Sequence, residues 1–304
     1  MKGNNSKPKV SIVIPIYNGS EYMGEAIDSA LGQSYENIEV IVINDGSNDD
    51  GKTDEIALSY GNKIKYFRKE NGGVATALNL GIKKMKGSYF SWLSHDDMYY
   101  PNKIEEQIKY ISKHDDIIIY SDVEYIDKKS KVLWIDKYNI KENEKFIFNL
   151  MVHGPNGCSL LIPRECFDKV GYFDSNYRFT QDYRLWFLLA KKYKFFHIPF
   201  VLIKGRVHEY QDSERKKASA DSERDDLYIW FMNNISKSEE VFLSDGSVGL
   251  FYSILLLKYN SWKLPEATKF ALKRSMRNMF KNSYLSYPRY IYNNIIYFKR
   301  KLLR

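Results

Sequence analysis

Along the first hundred residues, short apolar runs alternate with stretches of helical periodicity. Val10-Ser11-Ile12-Val13-Ile14-Pro15, Ile38 to Ile43, Ile64 to Phe67 and Tyr89 to Leu93 are β-branched or aromatic runs bounded by turn residues, which predicts buried strands. Between them Ala26, Ile27, Ala30 and Leu31 recur at helical spacing, as do Val74, Leu78, Leu80 and Ile82 before Gly87, and Ile56 to Tyr60 continues another helix. Such regular alternation predicts βαβ units, hence an α/β fold with a doubly wound, mainly parallel sheet and helices on both faces. The later pattern predicts a helix from Pro101 to about His114, a strand over Ile117 to Val123 and a hairpin over Glu124 to Asn139 with Lys128-Lys129-Ser130-Lys131 at its tip. A helix over Phe146 to Val152, a strand over Cys158 to Ile162, a helix over Tyr183 to Lys192 and a closing strand over Phe195 to Ile203 follow. From about Glu209 the composition turns to Ser, Glu, Lys and Arg, a linker or surface loop, and the remainder reads as helices. The expected plan is a disordered segment over 1–9, one ligand-binding domain over 10–210 and a basic helical region over 211–304.

Two polar breaks interrupt this pattern at the ends of strands. Tyr89 to Leu93 runs into Ser94-His95-Asp96-Asp97, with Pro101 four residues on, and Ile38 to Ile43 runs into the acidic loop Asn44-Asp45-Gly46-Ser47-Asn48-Asp49-Asp50-Gly51. In open α/β sheets ligands bind at the carboxyl ends of the strands. Paired Asp oxygens there suit Mg²⁺ or Mn²⁺, and so phosphate. A structural alternative stands level with this one: Asp96 and Asp97 cap the helix that Pro101 opens.

Composition narrows the class. The chain has 304 residues, 44% hydrophobic and 28% charged, which allows one large domain with an appendage. Its two cysteines, Cys158 and Cys166, form no disulfide framework or zinc spacing, so both are expected to be reduced and the protein cytoplasmic. No apolar h-region follows the polar N-terminus, so no signal peptide is expected, and the run Val248 to Leu257 is too short to span a bilayer. The net charge of +8 lies entirely in the tail. From Lys258 onward 12 basic residues face one acid, and the rest of the chain carries −3. A slightly negative main domain argues against nucleic acid as a partner.

Five pieces in register then resemble the family 2 glycosyltransferases, with their GT-A-type nucleotide-sugar fold. These are Val10 to Asn18, Asp45-Gly46-Ser47, Asn71-Gly72-Gly73 with Asn79-Leu80-Gly81, Leu93 to Asp97 with Pro101, and Gln181-Asp182, covering roughly the first 210 residues. The resemblance implies that Pro15 and Tyr17 line a uracil pocket beside Asn18, that Asp45 reads the base edge and that Gly73 lets backbone approach the nucleotide. It also implies that Asp96 and Asp97 form the DXD-type metal and diphosphate site, with Asp97 the principal ligand. Ser94 stands where the family often has its first Asp, Gln181 where Glu is frequent and Leu78 where Arg is common. Asp182 is therefore the carboxylate left to act as general base for an inverting transfer. His95, Asn79 and His208, the last within Val207-His208-Glu209 with Gln211 and Ser213, are further candidates. Tyr17 can equally be a core aromatic, Asp45 an Asx turn, Asp182 a helix-start acid and His208 a surface histidine.

The resemblance thus implies an inverting, Mn²⁺- or Mg²⁺-dependent transfer from a nucleoside diphosphate sugar, UDP-sugar foremost, to a glycan or lipid-linked acceptor in surface polysaccharide synthesis. A sugar nucleotidyltransferase is the enzyme alternative, although Ile16-Tyr17-Asn18-Gly19 lacks the basic residues that cradle a triphosphate. An inactive nucleotide-sugar-binding or membrane-associated protein is the other. At the tail, Ile291, Ile295, Phe298 and Leu302 form one helical stripe beside Lys299, Arg300, Lys301 and Arg304, a pattern that suits an anionic membrane surface on the inner face of the cell membrane or an ordinary packing helix.

Overall fold

The computed structural model describes residues 7–111, 117–138 and 145–281. The expectations for residues 1–6, for the end of the helix after Ile111 and for the stripe over 289–304 lie outside them. In chain order the elements are β1 (Val10–Ile16), α1 (Met23–Leu31), β2 (Ile38–Asn44), α2 (Lys52–Ser59), β3 (Lys65–Arg68), α3 (Val74–Lys84), β4 (Tyr89–Trp92), β5 (Met98–Tyr99), α4 (Lys103–Ile111), β6 (Ile117–Ile126) and β7 (Val132–Asp136). There follow α5 (Phe146–His153), β8 (Ile162–Pro163), α6 (Glu165–Val170), α7 (Gln181–Ala190), β9 (Lys194–Arg206), α8 (Asp212–Arg215), α9 (Lys217–Asn234), α10 (Lys237–Leu243), α11 (Val248–Ser261) and α12 (Pro265–Lys281).

The first sheet has the order β3-β2-β1-β4-β8, parallel except for β8. Every residue of β1 is buried, as continuous apolar strands covered on both faces should be. Its register sets Ile16 beside Asn44 and Val13 beside Trp92, so β1, β2 and β4 end at one edge. Helix α3 lies close on this sheet because Gly81 has no side chain; a Cβ there would stand 2.3 Å from a Val13 methyl. A second sheet, β5-β9-β6-β7, carries the hairpin that the sequence predicts, its turn closed by Asp127 and Lys131.

Three expectations change. The strand over Cys158 to Ile162 shrinks to Ile162–Pro163, because Asn156 Oδ1 accepts from Cys158 N at 2.8 Å and winds Gly157–Ser159 into a 3₁₀ turn. The closing strand continues to Arg206. The polar stretch after Glu209 is helical rather than a loop: Ala220, Leu227, Tyr228, Phe231 and Met232 recur on one buried face of α9.

The chain divides into two compact units, Met1–Phe146 with Gly154–Lys216, and Ile147–His153 with Lys217–Arg304. The second is helical as described, with α12 packed on α11 and α9. Among the described residues no single helix is long and apolar enough to cross a membrane.

Candidate functional site

At the end of β1, Pro15 is buried beside Ile43 while Tyr17 emerges 41% exposed. Asn18 adopts φ 50°, a left-handed turn that Asn tolerates, and its amide is tied to Asn48: Nδ2 donates to Asn48 Oδ1 at 2.7 Å and Oδ1 accepts from Asn48 N at 2.8 Å. The Tyr17 hydroxyl lies 3.4 Å from the same Asn48 Oδ1. The loops after β1 and β2 are therefore one unit.

Asp45, 3% exposed, leaves the end of β2 with its N–H on Ile16 O at 2.8 Å. Its carboxylate is heavily engaged. Gly73 N donates to Oδ2 at 2.7 Å, Gly72 N donates to Oδ1 at 3.1 Å, and Lys69 Nζ pairs with Oδ1. Lys69 also donates to Thr76 Oγ1 at 2.9 Å and to Glu70 O. Gly73 at φ 85° makes the sharp entry into α3 that points both amides at the carboxylate. The Asx-turn alternative is thus set aside: Asp45 braces the 69–73 segment across the sheet edge.

Asp96 and Asp97 follow β4, 8% and 6% exposed. Asp97 Oδ1 accepts from Arg206 N at 2.8 Å, and Asp96 Oδ2 faces His208 Nε2 at 3.1 Å and Gln211 Nε2 at 3.2 Å. The second sheet therefore delivers β9 and the segment after it onto the motif. Burial and the adjoining Asp96 charge push the Asp97 carboxyl well up; burial is also the largest single influence on Asp96, but the hydrogen bond from His208, nearby His95 and the hydrogen bond from Gln211 together outweigh it and hold Asp96 low. Cys158 Sγ lies beneath the pair, accepting from Ser94 N at 3.3 Å, and its thiol is pushed up by burial and by Asp97.

Arg206, 2% exposed, knits the site together. Its Nε donates to Asp96 O at 3.0 Å, one Nη to Glu25 at 2.8 Å and the other to Ser130 Oγ at 3.2 Å in the hairpin turn, and the guanidinium covers the Tyr22 ring at 4.4 Å. The sequence reading missed it, as it missed Cys158 and Lys69; an arginine closing the run from Phe195 was the available signal.

The other candidates distribute unevenly. His208 is buried at the motif, with Nδ1 lacking a partner, so it is no surface histidine. The His95 ring packs on Gly19, where a Cβ would come within 2.5 Å of it. Asn79 is not brought to the site: its amide is held at both ends by the Phe173 backbone, at 2.8 and 3.0 Å. Asp182 stands in the first turn of α7, accepting from Tyr183 N at 2.8 Å. Tyr183 OH donates to Gly154 O at 3.2 Å, so the loop from Gly154 to Cys158 touches both the α7 start and the floor of the aspartate pair.

Among the described residues no group of three or more His, Cys, Asp and Glu is arranged to hold a metal ion by itself. Two buried carboxylates beside an imidazole with an unpartnered nitrogen nevertheless fit a hard divalent cation whose shell is completed by phosphate and water.

Residues 11–201 match the family model described as Glycosyl transferase family 2. An uncharacterized glycosyltransferase of Rickettsia typhi, RT0329, is 49% identical over 259 residues, covering 83% of this chain and 80% of the relative. Another from Methanocaldococcus jannaschii, MJ1057, is 32% identical over 68% of this chain and 73% of its own length. Among solved structures, S. aureus TarS aligns over 89% of this chain and 54% of its own at a TM-score of 0.58 and 15% identity. The mannosyltransferase PcManGT of Pyrobaculum calidifontis, in complex with GDP-Man and Mn2+, aligns over 90% of this chain and 76% of its own at 0.58 and 16% identity.

Proposed function

The chain belongs to glycosyl transferase family 2, and we propose that it moves a sugar from UDP to a hydroxyl of a glycan or lipid-linked acceptor, with inversion. The observation that carries the reading is one sheet edge with a braced carboxylate at β2 and a buried carboxylate pair after β4. The first suits a base and the second a diphosphate. TarS has been solved in complex with UDP and with UDP-GlcNAc, on a fold of the same kind.

The choice of base follows from the Asp45 hydrogen bonds. A carboxylate offers about four lone-pair positions, and Lys69, Gly72 and Gly73 already engage both oxygens. What remains accepts one N–H, as uracil presents at its imide, rather than the two adjacent donors of guanine. Tyr17, exposed at the end of β1, supplies the flat face beside it, and the buried Pro15 sets the strand end from which it emerges.

Asp96 and Asp97 would hold Mn²⁺ or Mg²⁺, which neutralises charge on the departing diphosphate. His208 and Gln211 orient Asp96, and Arg206 orients both. Asp182 takes the proton of the acceptor hydroxyl as its oxygen bonds to the anomeric carbon; the bond to UDP breaks on the opposite side. The division of labour is a catalytic domain over 10–210 and a helical region over 211–304. Surface polysaccharide synthesis and a cytoplasmic location belong to the same proposal.

Thermal stabilisation tests the first half. UDP with Mn²⁺ is expected to raise Tm more than UDP alone or GDP with Mn²⁺; equal shifts from GDP overturn the base assignment, and indifference to Mn²⁺ overturns the metal. For the second half, Asp182→Asn should keep that stabilisation while UDP-sugar turnover falls by about 10²–10⁴-fold. Retained turnover removes Asp182 as base.

A further inference from the structure

The helical unit presents a face that the transfer chemistry does not use. In α12, Ala267, Ala271 and Ser275 turn inward, 0, 0 and 2% exposed. Lys269, Leu272, Lys273, Met276 and Arg277 follow at steps of three and four on the outward face, with Leu272 43% and Met276 45% exposed. Leucine and methionine thus form one stripe, and the three cations form the stripe beside it. Lys269 reaches back to Glu266, the one acid on this face, at 2.6 Å. Lys273 and Arg277 make no ion pair or hydrogen bond among the described residues. Arg274, by contrast, turns away toward Glu240, at 3.6 Å, and the Tyr252 ring.

We propose that this outer face of α12 docks the protein on an anionic phospholipid surface. Charge complementarity selects the partner: the outer face of α12 carries Lys269, Lys273 and Arg277 against Glu266 alone. The apolar stripe refines the choice. Against a nucleic-acid backbone, Leu272 and Met276 would have nothing apolar to bury into. On a membrane they enter the boundary between headgroups and acyl chains while the lysines extend to the phosphates. The helix is about 25 Å long, enough to lie across several lipids. The proposed docking rests on α12 alone and is independent of the transfer reaction.

The test uses the full chain and co-sedimentation with vesicles of phosphatidylglycerol and phosphatidylcholine, against phosphatidylcholine alone. Wild-type protein is expected to sediment only with the anionic vesicles and to be released by high salt. Lys273→Gln with Arg277→Gln should lower the partition roughly 30-fold, two charges being lost. Leu272→Ser with Met276→Ser should weaken it further at equal charge. All four positions are exposed, so an unchanged Tm identifies a folded variant. Absence of sedimentation with anionic vesicles overturns the proposal and leaves the face to a protein or nucleic acid. Undiminished sedimentation of both double variants overturns it too, and assigns the binding to residues beyond α12.

Discussion

Asp45 follows one strand of the parallel sheet and Asp96-Asp97 follow another, so the same residue type leaves the same edge twice, two strands apart. Their surroundings are opposite. Asp45 is engaged by two backbone amides and an ammonium, with its charge compensated within the fold and one acceptor position left. Asp96 and Asp97 are neighbours in sequence and buried together, and their mutual repulsion is only partly relieved, by His208, Gln211 and His95 at Asp96 and by Arg206 and Cys158 at Asp97. A compensated carboxylate is a rigid recognition element. An undercompensated pair leaves a demand for positive charge, which the proposed divalent cation would meet.

The contrast predicts very different losses. Asp97→Asn should lower transfer by about 10³-fold or more, equivalent to roughly 4 kcal/mol, because it removes charge where the leaving group develops its own. Its UDP affinity without metal should hardly change. A Mn²⁺-dependent Tm shift that survives in Asp97→Asn would sink the assignment of Asp97 as the principal ligand.

Arg206→Met comes next. The Arg206 N–H to Asp97 is backbone and survives the change, while the side-chain contacts to Asp96 O, Glu25 and the hairpin turn are lost. Their removal leaves a buried carbonyl without its donor, although Glu25, half exposed, is rehydrated. A destabilisation of about 3 kcal/mol is expected in chemical denaturation. Stability within error of wild type would show that the hairpin and the motif hold without it.

How much of this could be read in advance depends on burial. Strands β1, β2 and β4 were legible because parallel strands covered on both faces read as continuous apolar runs, and the two aspartate stations were legible because polarity stops those runs abruptly. The run over Cys158 to Ile162 was apolar too, yet a single Asn156 side chain turned its first half into a 3₁₀ turn, which no periodicity reveals. Arg206, Lys69 and Lys103 were illegible for the opposite reason. Basic residues are read as solvated by default, and only the fold shows that Arg206 and Lys103 are 2% and 0% exposed.

Lys103 extends the comparison to a cation. It lies behind β4 with Nζ on Ser91 Oγ at 2.9 Å and Gln107 Oε1 at 2.8 Å, over the Tyr99 ring at 4.2 Å. Burial pushes its pKa down to about 7 from the ordinary 10.5. The unfolded chain therefore binds more protons between those values, and this group's contribution to stability rises with pH across that window. Between pH 7 and pH 9 the gain is roughly 2 kcal/mol. Asp97, its carboxyl pushed up to about 8 by burial and by Asp96, acts in the opposite direction below that pH, so the readable quantity is the difference between wild type and Lys103→Met. Parallel stability curves for the two proteins over pH 7 to 9 would remove the buried ammonium from the account.

The smallest effect tests the compensation at Asp45. In Lys69→Met the carboxylate keeps the amides of Gly72 and Gly73 but regains an open position on Oδ1. Two changes should follow. The 69–73 segment loses the link to Thr76 and Glu70, and so some affinity for any nucleotide. More specifically, a carboxylate with both oxygens partly open can meet paired donors, so the preference for UDP over GDP should narrow by about tenfold, near 1.4 kcal/mol. Turnover at saturating UDP-sugar should stay close to wild type, because contacts to the base are made equally in ground and transition states. A variant that binds both nucleotides more weakly at an unchanged ratio would mean that Lys69 only braces the loop, and that base selection rests on the loops carrying Tyr17 and Asn48.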